Sequence, residues 1–483
     1  MKTKFFVVLA FALTLCLCAD AKKKTAPDNT KTAGYTYLES NFKTYDAIQK
    51  QIHGFAELGY QEFKSSEVLA RHLEENGFKV ERGVADIPTA FVATFGSGKP
   101  VIGLLGEFDA LGGMSQDTVA FKKPLVEGKP GHGCGHNLLG SATCAAAVAI
   151  SKWLAEGHEG TVKYFGCPAE EGGGGKGYMT REGVFDGCDV MFDWHPGTRN
   201  SVGTSSGLAN VRVNFTFHGK SAHAAGGPWN GRSALDGVEA FNYMMNMMRE
   251  HVSPDSRIHY IISDGGKAPN VVPDRAQVIY YIRHQKMAEV FPILERAIKA
   301  AEGAAMGTGT TMEYEVINGS YERLKNRHLC QMVLDNLKKV GGVKLDERER
   351  AFMVEMRRNS GVENPEDLSA MENVVPELIP PKKGGGSSDV GNVSQIVPTS
   401  SLSVATAPCS GIHTWQQTAT GGSTVGTKSL MVTAKTFYLT ALDLYTNPAA
   451  VQAAWDEYYS VQGRDFKYKS PVGNRKPPLD YCK

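Results

Sequence analysis

Pro100-Val101-Ile102-Gly103-Leu104-Leu105-Gly106-Glu107-Phe108-Asp109 is the stretch from which the rest of this chain can be read. Residues 101–105 are apolar or glycine without alternation, the pattern of a strand covered on both faces. Asp109 follows within a few residues. Further on, residues 138–154 are rich in alanine, which predicts a buried helix ending near Gly157. Residues 162–165 and 190–192 are short apolar runs of the same kind. Strands alternating with helices predict an α/β layer on a largely parallel sheet. Chemistry on such sheets gathers beyond the carboxyl ends of the strands. Upstream, Phe42, Tyr45, Ile48, Ile52 and Phe55 fall at helical spacing, and a second helix is expected over 66–76, stopped by Gly77.

The pattern changes near Ala209. Val211, Val213, Phe215 and Phe217 alternate strictly, so this strand has one solvated face. A helix is expected over 233–251, strands over 257–262 and 277–282, a helix over 287–302 and a strand over 312–317. That order, βαββαβ, is the split unit of ferredoxin-like folds. The expected fold class is therefore α/β: a mixed, largely parallel sheet domain interrupted by an inserted α+β domain. The catalytic part would comprise 34–208 and 322–465, the insert 209–321, and a basic, proline-bearing tail 466–483. Residues 344–383 are charged and read as a surface excursion.

The chain has 483 residues, 42% hydrophobic and 21% charged, with a formal net charge of +1. Those are ordinary values for a globular enzyme. Near-neutrality argues against nucleic acid or an anionic membrane as the main partner. Met1-Lys-Thr-Lys4, an apolar run from Phe5 to Cys18 and Ala19-Asp20-Ala21 form a tripartite leader, so residues 1–21 are expected to be a signal peptide. Lipidation at Cys18 is the alternative, though Leu17 fits a lipobox poorly. Export to the periplasm or medium follows, with 22–33 as a disordered lead. The remaining cysteines (134, 144, 167, 188, 330, 409 and 482) are too sparse for a disulfide scaffold.

Four short segments carry metal-binding side chains: Gly-His-Gly-Cys134-Gly-His136, Pro-Ala-Glu170-Glu171 before four glycines, Asp-Trp-His195-Pro and Gly-Ile-His413-Thr. Cysteine, histidine and carboxylate are the zinc donor set. Each segment alone has a plain reading: a capping histidine in a turn, a solvated carboxylate pair, a lone histidine. Their conjunction at predicted strand edges points to an open catalytic site. Of two adjacent glutamates, one can hold metal while the other moves a proton. Asp109 is suited to orienting a ligand.

The phrases GEFDALGG, GHGCGHNLLG, PAEEGGGGK, DWHPG, HGKSAHAA, APNVVPD and GIHTWQQ, spread from Tyr35 to Thr446, resemble the M20 metallopeptidase family. The likeness is to its M20D-type amidohydrolase branch, with wording most like the aminobenzoyl-glutamate hydrolase B-subunit-like group. The resemblance implies two divalent metals, zinc first and manganese second. It implies Cys134, His136, Glu171, His195 and His413 as ligands and Glu170 as general base. It implies a catalytic domain of zinc-exopeptidase type whose ferredoxin-like insert is a lid and dimerisation domain, with His223 supplying the oxyanion donor across a homodimer. Asn270 and Arg283 would bind a substrate carboxylate, and the loop with Gly385 and Ser387 a second one. The implied reaction is hydrolysis of an N-acyl or N-aroyl amino acid, with glutamate conjugates such as aminobenzoyl-glutamate foremost. A hetero-oligomer with a related subunit is a further implication. Rival readings are an aminoacylase or dipeptidase of other specificity, a non-catalytic binding protein on a peptidase fold, and a cysteine nucleophile at Cys134.

Overall fold

The computed structural model describes residues 29–382 and 385–482. The expected signal peptide, Cys18 included, lies outside those residues. The strand expected at 101–105 is the second from the edge of a five-stranded sheet. Its members are β1 (Lys79–Arg82), β2 (Phe91–Ser97), β3 (Val101–Glu107), β4 (Gly160–Cys167) and β5 (Val190–Phe192), in the order β1-β2-β4-β3-β5. β4, β3 and β5 pair in parallel, whereas β1, β2 and β4 pair antiparallel. Parallel pairing thus holds for the half that carries the candidate site and not for the other edge. β1 and β2 escape a reading by pattern. Lys-Val-Glu-Arg shows no apolar run, and β2 buries only its first residues.

The helix His136–Leu154 lies on this sheet and is buried along nearly its whole length, as is the helix Thr424–Thr446 packed against it. Helices apolar all round belong in the middle of a large core. Gly140 makes the close approach possible: a Cβ there would stand 2.5 Å from the carbonyl oxygen of Glu107. β6 (Trp194–Gly197) leaves the sheet after Asp193.

The insert has the expected order. β7 (Ala209–His218), a helix Ala234–Met248, β8 (Arg257–Asp264), β9 (Arg275–His284), a helix Met287–Thr308 and β10 (Thr311–Ser320) build an antiparallel sheet ordered β10-β7-β9-β8. Val211, Val213, Phe215 and Phe217 are buried under the two helices in a core of their own. β8 is an edge strand, and Ile261 and Ile262 on it are exposed, as are Tyr243 and Met247 on the first helix.

After the insert, β11 (Leu402–Ala405) pairs in parallel with β6 and returns the chain to the first domain. Residues 344–382 are more than a surface excursion. The helix Glu347–Asn359 opens on a capping box between Asp346 and Glu349, and Met353, Met356 and Met371 join the main core. Of the expected disordered lead, residues 29–31 form a turn of 3-10 helix and a helix begins at Ala33. The tail is a strap. Phe466 and Tyr468 pack on the insert's core, while Val472, Leu479 and Tyr481 pack against the sheet. Arg181 donates to the carbonyls of Gly473 and Arg475 at 2.9 and 2.6 Å. The seven cysteines among the described residues are free thiols.

Candidate metal centre and its cavity

The nominated ligands sit on a strand, in the turn after one, or at or just before a helix start. Glu107 ends β3 and Asp109 lies beyond it; Glu170 and Glu171 follow β4; His195 is within β6. Cys134 and His136 flank Gly135, whose φ of +82° lets the chain turn into the helix His136–Leu154. A Cβ at Gly135 would also stand 2.7 Å from Gln417 and 2.8 Å from Pro196. Ala169, at φ +58°, is a non-glycine residue in the left-handed region immediately before the glutamate pair. His413, at φ +63°, donates its backbone N–H to the carbonyl of Gly133 at 2.6 Å, which pins its loop to the cysteine turn.

The side chains converge. Cys134, His136 and His195 form one group of potential ligand atoms, all within 4.8 Å of one another, and Cys134, Glu171 and His413 form a second. Two overlapping groups that share a thiol fit a two-metal site. His136 Nε2 and Glu171 Oε1 are buried atoms that make no hydrogen bond, and each stands 3.1 Å from another polar side chain, Glu107 Oε2 and His413 Nε2 respectively, the crowding of lone pairs expected where an ion is held. Asp109 holds both from behind. Its Oδ1 lies 2.9 Å from His136 Nδ1, and its Oδ2 accepts the backbone N–H of Glu171 at 2.9 Å. The orienting part expected of Asp109 therefore extends to a second ligand. Burial holds His195 down at about 3, so it stays neutral, as a ligand must. Burial pushes the Cys134 thiol up to about 12, although His136 opposes it. Ion binding there must expel a proton.

Glu170 completes the polar lining. Burial, then the charges of Glu107 and Glu171, push its carboxyl well above the usual range. Glu107 is the reverse case. Burial pushes it up, but Lys176, His136 and His195 hold it at about 2. Its Oε2 is 3.1 Å from His136 Nε2 and 3.6 Å from His195 Nε2, and its Oε1 is 2.6 Å from Lys176 Nζ. Lys176 is fully buried and also contacts Asp389 Oδ1 at 2.7 Å. Glu107, Lys176 and Asp389 were not singled out from the sequence as site residues. The position of Lys176 directly after the four glycines was the available signal.

These groups open into a cavity of about 430 Å³, walled by Cys134, Glu170, Glu171, His195 and His413 together with Gly386, Ser387, Arg323 and Lys325. Gly385, at φ +110°, precedes the loop residues that line it. His223, Asn270 and Arg283 are not brought there. His223 is exposed and its Nδ1 accepts the N–H groups of Ala225 and Gly226. Asn270 is exposed nearby, and its carbonyl accepts the N–H of Ala224. Arg283 stacks on Tyr281 at 4.8 Å in the insert's sheet, with Nε buried and unpartnered. Within one chain, the insert contributes nothing to the wall of the cavity.

Comparison with known proteins agrees with this architecture. A family model described as a peptidase dimerisation domain matches residues 204–308. The chain is 38% identical over 470 residues to the B-subunit of the p-aminobenzoyl-glutamate hydrolase of Escherichia coli, covering 91% of this chain and 97% of that protein. It is 29% identical to the Xaa-Arg dipeptidase of Mus musculus, over 85% of this chain and 88% of that one. Among solved structures, an aminobenzoyl-glutamate utilization protein from Klebsiella pneumoniae aligns with a TM-score of 0.60 at 18% identity, covering 84% of this chain and 98% of that one. A dinuclear metal-binding peptidase from Bacillus subtilis aligns with a TM-score of 0.54 at 17% identity, covering 84% and 99%. At such identities these two likenesses speak for the fold alone.

Proposed function

The chain belongs to the M20 family of metal-dependent amide hydrolases, and from that membership we propose that it cleaves N-aroyl or N-acyl derivatives of an acidic amino acid, glutamate first. The observation that carries the reading is the pair of overlapping donor groups sharing Cys134, with Glu170 beside them. The relative at 38% identity acts, by its name, on p-aminobenzoyl-glutamate, which supports the choice of substrate.

Cys134, His136, Glu171, His195 and His413 would hold two divalent ions, zinc by their chemistry. When bound, the ions supply Lewis-acid polarisation of the scissile carbonyl and stabilise negative charge. The chain's own residues do the rest. Glu170 takes the proton of the attacking water and returns it to the leaving amine nitrogen. Asp109 keeps the Nε2 of His136 turned to the cavity and fixes the backbone of Glu171. Ser387, whose hydroxyl is buried without a partner, and the Gly385–Gly386 backbone would receive a substrate carboxylate.

His223, Asn270 and Arg283 would act on the cavity of a second copy. Their distance from their own cavity supports that assignment, as do the exposed β8 edge and the exposed Tyr243, Met247 and Ile261. Sedimentation of the purified chain should show a homodimer. A monomer active at nanomolar concentration would sink this part. Assembly only with a related second polypeptide would replace it.

The substrate reading is tested by a panel of N-acyl amino acids offered to metal-reconstituted protein. Aminobenzoyl-glutamate should be cleaved faster than neutral or basic analogues. Preference for a dipeptide with a basic residue would favour the dipeptidase alternative. Export belongs to the same proposal: mass spectrometry of native protein should find an N-terminus near Lys22, and an intact Met1 would contradict it.

A further inference from the structure

Two cations line the cavity that no motif in the sequence brought to notice, Arg323 and Lys325. They follow β10 in the short segment that returns from the insert, and a bridge from Lys325 to Thr399 fixes its backbone. The Nη1 of Arg323 stands 3.6 Å from Asp193 Oδ2, too far for a hydrogen bond, and its Nε is buried without any partner. The ammonium group of Lys325 has no ion-pair partner among the described residues. Burial, then the charge of Arg323, lower its pKa to about 8, against partial help from Cys330 and Asp193.

The charges do not cancel. Asp193 is the nearby carboxylate, and it is shared with His195, whose Nδ1 lies 3.8 Å from Oδ1. Both cations also back onto a smaller recess of about 140 Å³ that includes Glu457. That carboxylate is already engaged by the backbone N–H groups of Arg327 and His328. Apart from Glu170 and Glu171, which belong to the metal centre, the cavity lining sets two cations against one shared carboxylate, among the hydroxyls of Ser387, Ser401 and Ser403. An unpaired guanidinium edge in such a wall matches a carboxylate, which it can grip through charge-assisted hydrogen bonds.

We propose that Arg323 and Lys325 form a second anion subsite in the cavity, taking a carboxylate of the substrate other than the one received by the Gly385–Ser387 loop. The cavity then selects amides that carry two carboxylates. This rests on the amide-hydrolase reading of the site. The second carboxylate resides either on the side chain of the released amino acid or on the acyl group.

The test uses the metal-loaded full chain. kcat and KM are measured for aminobenzoyl-glutamate and aminobenzoyl-glutamine, and for 4-carboxybenzoyl-alanine and benzoyl-alanine. Arg323→Ala should lower kcat/KM at least about tenfold on one dicarboxylate, through KM. The matched monocarboxylate should change less than about threefold, and Lys325→Met should act in the same direction. Arg323→Lys should restore part of the loss. The dicarboxylate that responds identifies the source of the carboxylate. Equal losses on both members of each pair would overturn the subsite, because Arg323 would then act on His195 through Asp193. No loss on either would overturn it as well. Calorimetric binding of glutarate against butyrate gives an independent readout. Selective binding of glutarate, weakened in Arg323→Ala, supports the subsite even if no amide in the panel is cleaved, a result that would strike the hydrolase reading alone. Equal binding of the two acids would overturn the subsite.

Discussion

Glu170 and Glu171 are adjacent in sequence and meet different surroundings. Glu171 has its N–H tied to Asp109 and a carboxylate oxygen 3.1 Å from His413 Nε2. Glu170 faces the cavity without such a tie and stands among the charges of Glu107 and Glu171. Their substitutions should therefore separate. Glu170→Gln should keep the metal and lose roughly 10²–10⁴-fold in turnover, the usual worth of a positioned general base. Glu171→Gln should lose metal, read by elemental analysis of the purified variant. The reverse pattern would exchange the two assignments. Lys176 supports a second expectation. It is a fully buried ammonium between Glu107 and Asp389. Lys176→Met removes the ammonium shared by the buried carboxylates of Glu107 and Asp389, a change of about 3–5 kcal/mol. Urea unfolding of metal-free protein should show that loss. A shift below about 1 kcal/mol would mean that water or rearrangement replaces the lysine.

The elements deliver these side chains through their ends, and the turn before Glu170 is buttressed by a third carboxylate. Glu62, at the start of the helix Phe63–Glu75, accepts the N–H of Ala169 at 2.8 Å and the hydroxyl of Thr89 at 2.9 Å. Burial, and after it the charge of Asp109, raise its carboxyl to about 8. An unfolded glutamate titrates near about 4.3. Below that pH both states are protonated and Glu62 costs nothing. As pH rises from about 4.3 towards about 8, the unfolded chain ionises while the folded one resists, so stability falls. In chelator-treated protein, Glu62→Gln should flatten that part of the stability–pH curve, followed as the urea midpoint. An unchanged slope would show that Glu62 is ionised at little cost. The same turn marks the limit of what the sequence discloses. That Cys134, His136, Glu170, Glu171, His195 and His413 would come together was legible because each stands in a glycine-bearing or strand-edge phrase. The alternating Val211–Phe217 pattern and the segments after it gave the insert's strands and helices in their order along the chain. Lys176, Asp193, Arg323 and Asp389 were not legible, because their importance arises from burial among charges that only the folded chain brings together. β1 was missed for the opposite reason: its side chains are largely exposed, so no core imprints a pattern on them.

In the molecule as a whole, the two domains are joined by the crossings around residue 209 and residue 321 and by the strap of the tail. Tyr481 reaches the glutamate turn itself, since a Cβ on Gly172 would stand 2.4 Å from its hydroxyl. Arg475 pairs with Glu315 on β10 at 2.6 Å. Removing residues 464–483 should lower turnover several-fold while leaving metal content unchanged. Unaltered kinetics would reduce the strap to surface covering. The two-copy reading makes a sharper forecast. His223→Ala and Glu170→Gln proteins should each be nearly inactive, and mixing them with subunit exchange should restore part of the activity. No recovery despite proven exchange would place His223 outside the reaction of a partner's site. Beneath both lies the claim that two ions and Glu170 together hydrolyse the amide. The most direct test is to strip the protein of metal and titrate zinc back while following cleavage of aminobenzoyl-glutamate. Activity should be absent at the start and climb to a plateau near about two equivalents per chain. Full turnover in the stripped protein, or metal uptake at that stoichiometry without any amide cleavage across the panel, would contradict it.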